Sequence, residues 1–153
     1  MNEPVSFVNA PTLARDRGLT VSEMRSTVSQ DYVSLMTLRA ETDEGPVSVM
    51  GTIVARGEER LLQVNDFDIE VAPAARMVFF NYVDRPGIIG KVGTILGEHD
   101  INIATMDVGR KPEGQGMEAL MCVTVDTEVP DHVLEHIAEA IEAKRIRAVN
   151  VPV

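Results

Sequence analysis

Two rhythms of apolar and polar positions run along the chain. In the first half, short alternating runs at Leu19 to Thr27, Tyr32 to Glu41, Pro46 to Ala55 and Arg60 to Val64 are punctuated by the turn sequences Asp43-Glu44-Gly45-Pro46 and Arg56-Gly57-Glu58. A period of two bounded by Gly, Pro and acidic residues predicts strands joined by tight turns. Ahead of them, Asn9 to Gly18 reads as a short helix, with Pro11 in its first turn and Gly18 just past its end. This half is expected to be a small, mostly antiparallel sheet with one helix.

The second half changes rhythm. Met77 to Val83 is a nearly continuous apolar run, the signature of a buried strand. Ile88, Val92, Ile95 and Leu96 then fall at i, i+4, i+7 and i+8, which lines one face of a helix. Asn102 to Val108 and Met117 to Asp126 read as strands joined by the Gly/Pro-rich hairpin 109–116. Leu134, Ile137 and Ile141 mark a second helix, opened by Pro130 and Asp131, and Arg145 to Val151 is a last strand. The order βαββαβ predicts a ferredoxin-like α+β unit: an antiparallel sheet with both helices on one face and the other face open to a partner. The Pro/Ala stretch Val71 to Ala75 divides the rhythms, giving expected domains at 1–73 and 76–153.

Composition narrows the function classes. The 153 residues carry 24 acidic against 14 basic side chains, a net charge of −10, so the chain lacks the basic footprint of a nucleic-acid binder and is repelled by anionic membranes. One cysteine, Cys122, excludes an internal disulfide. With no apolar run of membrane-spanning length and no basic leader before one, a cytoplasmic location is expected. The length is too small for a dinucleotide-binding domain and a substrate domain together.

The sharpest local signal is Asp84-Arg85-Pro86-Gly87-Ile88-Ile89, where the first strand of the second half meets its helix. Pro86 presets the backbone at the helix entry, Gly87 admits a close neighbour, and free amides at a helix start favour a carboxylate. Asp84 beside them suits an ammonium, so the segment has the chemistry of a receptor for an α-amino acid; a capped helix and a plain turn are the structural alternative. Tyr82 shares a strand face with Asp84. Asn102, whose amide can both donate and accept, is expected at the same end of the sheet. Gly90, Gly93 and Gly97 share one side of the helix, each costing about 1 kcal/mol relative to Ala, which points either to a closely packed neighbour or to a tolerated exposed face. His132-Val133-Leu134-Glu135-His136 fits an inverted zinc-peptidase pattern, but too little chain follows to supply its third ligand; a solvated helix face is the reading, and no metal site is expected. No nucleophile and base are paired anywhere.

With Asp84-Arg85-Pro86-Gly87 after a strand, Asn102-Ile103-Ala104-Thr105-Met106 eighteen residues on, and the βαββαβ order, residues 76–153 resemble an ACT domain. The Phe7-Val8-Asn9-Ala10-Pro11 segment, Ala14 to Gly18, Gly51-Thr52 and Val64 to Phe67 resemble the intervening domain of the long-form D-3-phosphoglycerate dehydrogenase family. That resemblance implies a regulatory tail without catalytic residues, whose missing catalytic domains would carry the NAD. It implies L-serine as ligand between ACT domains of two subunits, with contacts at Tyr82, Asp84, Asn102 and the backbone of Pro86, Gly87, Ile88 and Ile89. Tyr82 and Asp84 stand where shorter family members carry His and Asn. Arg25 matches a basic position linked to anion binding, and Tyr32 one held by His in some relatives. The ACT portion of iron–sulfur L-serine dehydratase is a second resemblance, although one cysteine cannot hold a cluster; a stand-alone amino-acid sensor docking through a sheet edge is a third reading.

Overall fold

The computed structural model describes residues 5–24, 34–54, 57–111 and 117–151. The chain forms two units, Met1–Asp31 and Tyr32–Val153. In the first, α1 (Ala10–Asp16) starts with Pro11 in its opening turn and stops where Gly18 turns left-handed, its amide donating to the Arg15 carbonyl at 2.9 Å. Residues 19–24 form no strand, contrary to the alternation read there; the rest of that run, with Arg25 and Tyr32, lies outside the described residues.

The second unit holds two antiparallel four-stranded sheets. The first is a meander of β1 (Met36–Thr42), β2 (Gly45–Ile53), β3 (Glu59–Val64) and β4 (Phe67–Val71). β4 was not expected from the sequence. Its signal is there, however: Asn65-Asp66 is a two-residue hairpin turn with Asn65 left-handed, and Phe67-Asp68-Ile69-Glu70-Val71 alternates buried and exposed without a break. The Asn65 amide donates to the Ser48 carbonyl at 2.7 Å, and its side-chain oxygen accepts from the Ser48 amide at 3.1 Å, tying the turn to β2.

The second sheet comprises β5 (Arg76–Val83), β6 (Ile103–Arg110), β7 (Glu118–Val125) and β8 (Arg145–Asn150), in the order β6-β7-β5-β8. Helices α2 (Ile88–Glu98) and α3 (Asp131–Ile141) cover one face, giving the ferredoxin-like arrangement. The alternation of β5 and β7 splits their side chains cleanly. Val78, Phe80, Tyr82, Ala119, Met121 and Val123 meet Val92, Leu96, Val133 and Ile137 of the helices in the main core.

The opposite face is not the open surface that the sequence suggests. Phe67, Ile69 and Val71 of β4 pack with Leu120 and Cys122 in a second core, so the two sheets share one compact unit. Gly109 lies directly against β4: a Cβ there would lie 2.1 Å from the Asp68 carbonyl oxygen. The β1–β2 turn is tied to the second sheet as well, since Glu44 accepts from Arg145 at 3.1 Å and from Arg147. Burial under β4, with a smaller contribution from the Asp107 charge, pushes the Cys122 thiol up to about 12. Cys122 should therefore resist iodoacetamide at pH 8 in the native protein and react fully in urea, as mass spectrometry would show.

Candidate functional site

The junction of β5 and α2 opens into a cleft of about 460 Å³ lined by Tyr82, Asp84, Arg85, Pro86, Gly87, Ile88, Ile89, Val108 and Arg110. Strand register explains the gathering. Tyr82 on β5 and Arg110 on β6 both face Ala119 of the intervening β7, which places them in one row on the helix-covered side. β5 ends one residue after Tyr82, and Asp84 is held there by its amide, which donates to the Met117 carbonyl at 2.6 Å.

Asp84 does not cap the helix. Gly87 occupies the N-cap in a left-handed conformation (φ 91°) and, among the described residues, no side chain caps the first turn, so the positive end of α2 faces the cleft without a side-chain acceptor from them. The Asp84 carboxylate instead accepts from Arg110 Nε at 2.7 Å. Arg85 turns away to Glu142, donating at 2.7 Å and, with its charge, lowering the Glu142 carboxyl below its ordinary value. Tyr82 is almost wholly buried. That burial, and then the nearby Asp84 charge, raises its phenol pKa against an opposing pull from Arg110, so at neutral pH it presents a neutral hydroxyl.

Next to the cleft, Glu118 pairs with Lys144 and with Lys111 at 3.3 Å. The hydrogen bond from Lys144 is the first cause of its lowered pKa, and that from Lys111 adds to it. A depressed folded pKa means that the unfolded chain binds the proton more readily. The pair's stabilisation is therefore complete above the ordinary carboxylate range and drains away as pH falls through the lowered value. Glu118→Gln should flatten the acid limb of a Tm-against-pH curve and leave Tm above pH 6 changed by only a few degrees.

Asn102 stands elsewhere. Its amide donates to Asp126 Oδ2 at 2.7 Å, beyond the far end of β7. The paired residue Ile103 faces Val125, six residues from Ala119 along β7 and so about 20 Å from the Tyr82 row. The expectation that Asn102 shares an end with Asp84 is thus corrected. β5 and β6 run parallel, and α2 returns the chain to the end where β5 begins. Gly90, Gly93 and Gly97 have open space where a side chain would be.

A model of the D-3-phosphoglycerate dehydrogenase intervening domain matches residues 1–65, and one of the ACT domain matches residues 76–142. The chain joins a D-3-phosphoglycerate dehydrogenase intervening domain to an ACT domain. D-3-phosphoglycerate dehydrogenases of Bacillus subtilis, Synechocystis and Methanocaldococcus jannaschii are 32, 38 and 34% identical to it over 99, 91 and 96% of its length. The chain spans only 29, 25 and 27% of those relatives.

The cleft thus lies wholly within the ACT domain. Neither sheet is the parallel, doubly wound kind that binds a dinucleotide at a strand-order switch, and Gly87, Gly90 and Gly93 belong to the start and body of α2. Among the described residues, no three His, Cys, Asp or Glu side chains converge as metal ligands, and no helix is long and apolar enough to cross a membrane. The sequence reading missed Arg110 and Val108. Their signal was register across β7, which sets Arg110 level with Tyr82 and Val108 level with Phe80 and emerges only once the strand order is known.

Proposed function

We propose that this chain is the regulatory tail of a D-3-phosphoglycerate dehydrogenase and that its ACT domain binds L-serine, the product whose level it reports to NAD-bearing catalytic domains elsewhere in the longer protein. The observation that carries the reading is the uncapped start of α2 opening beside the Asp84 carboxylate in one cleft. A helix N-terminus takes the ligand's carboxylate and Asp84 its ammonium. Ile88, Ile89 and Val108 give the cleft an apolar wall for the ligand's side chain.

One copy cannot enclose the ligand, because its Asn102 lies at the wrong end of the sheet. β6 is an edge strand. Two copies pairing these edges about a two-fold axis run antiparallel, so the Asp84 end of one meets the Asn102 end of the other. The open glycine face of α2 permits that close approach. Serine then bridges two ACT domains, fixes their orientation and, through linkage, favours whichever arrangement of the catalytic domains it binds better. Calorimetric titration with L-serine, glycine and L-alanine tests this. Saturable binding with L-serine tightest is expected, and no heat with any of the three would overturn it.

A further inference from the structure

We infer that Arg110 is the residue that reads the ligand's carboxylate, and that its ion pair with Asp84 is a self-masked receptor for a zwitterion. The inference rests on the amino-acid reading of the cleft and adds a residue to it.

Arg110 lines the cleft, and its side chain is 73% exposed. Only its Nε is engaged by Asp84, at 2.7 Å. Among the described residues nothing accepts from its two Nη groups. A guanidinium is a planar fork with five donors, so one edge can hold Asp84 while the Nη groups meet a carboxylate.

The ion pair itself has little stabilising role to explain it, since exposed pairs contribute about 0–1 kcal/mol. What it does is set a fixed cation next to a fixed anion at the mouth of a cleft. An α-amino acid presents the complementary pair, ammonium and carboxylate, on adjacent carbons. When it enters, its ammonium takes Asp84 and its carboxylate is shared between the Nη fork and the free amides of α2. In the empty cleft the two groups neutralise one another. A lone amine or a lone acid satisfies only one of them and leaves the other still paired with its neighbour. Selection for the zwitterion follows from that geometry.

The test compares L-serine with L-serinamide, which keeps the ammonium and replaces the carboxylate by a neutral amide. Both are titrated into the full chain, wild type and Arg110→Gln, following the Ile88 and Ile89 amide shifts up to millimolar ligand. Arg110→Gln should weaken L-serine at least tenfold while L-serinamide binds no worse than to wild type, because Asp84 is unmasked. An unchanged melting curve should accompany it. Equal losses for both ligands, or no loss for serine, would overturn the role of Arg110 and leave the cleft's amino-acid reading standing; absence of serine binding to wild type would remove both.

Discussion

Replacing Gly109 by Val should lower the melting temperature by about 6–12 °C, the result of a loss of about 3 kcal/mol in a domain of this size. The new Cβ would stand 2.1 Å from the Asp68 carbonyl oxygen, 2.6 Å from Ile69 Cγ2 and 2.9 Å from the Asp68 carbonyl carbon. Two of those three atoms are backbone, so no rotamer change relieves the clash and β4 must move. Once it moves, Phe67, Ile69 and Val71 lose their cover on Leu120 and Cys122. The same variant should therefore expose the Cys122 thiol to iodoacetamide under native conditions, with Gly109→Ala intermediate in both readouts. A melting temperature and thiol protection equal to wild type would mean that the two sheets are not packed at this point.

Asp84→Ala should reduce L-serine affinity by about 10- to 100-fold, which is what loss of a charge-assisted hydrogen bond worth about 1.5–3 kcal/mol amounts to. Stability should barely change. Asp84 caps no helix and its partner Arg110 is mostly exposed, so the freed guanidinium is simply hydrated. That combination separates a binding role from a folding role, and paired titration and melting curves read both at once. Heats unchanged from wild type would remove Asp84 from the site.

The second half of the chain was legible because every element there has a one-sided apolar pattern and a clear boundary. Ile88, Val92, Ile95 and Leu96 are buried as their spacing requires, and the continuous apolar run of β5 fits a strand covered on both faces. That same run carried the message that was missed. A strand buried on both faces needs a cover opposite the helices, and the alternating Phe67 to Val71 supplies it. In the first half, alternation misled at residues 19–24, where no sheet neighbour among the described residues turns a local pattern into a strand. β1 formed even though every one of its residues is exposed, because its register with β2 is set by the tight Asp43-Glu44 turn.

The candidate site was legible in its chemistry and not in its assembly. Asp84, Pro86 and Gly87 lie next to each other in sequence, and their turn could be read directly. Arg110 is brought in by register across a third strand, and Asn102 is carried 20 Å away by the direction of a crossover, which spacing along the chain does not encode. The displacement of Asn102 means that one copy does not bring Asn102 and Asp84 to the same small ligand, and the proposed pairing of two copies is built on that separation.

Subunit complementation tests that arrangement most directly. Asp84→Ala and Asn102→Ala chains, each alone, should bind L-serine poorly. Mixed one to one and allowed to exchange subunits, half of the dimers are heterodimers, in which one site carries both defects and the other is intact, so tight binding should return at about one quarter of the wild-type stoichiometry. A mixture as silent as its parents, from subunits shown to have exchanged, would contradict a site built from Asp84 of one copy and Asn102 of the next.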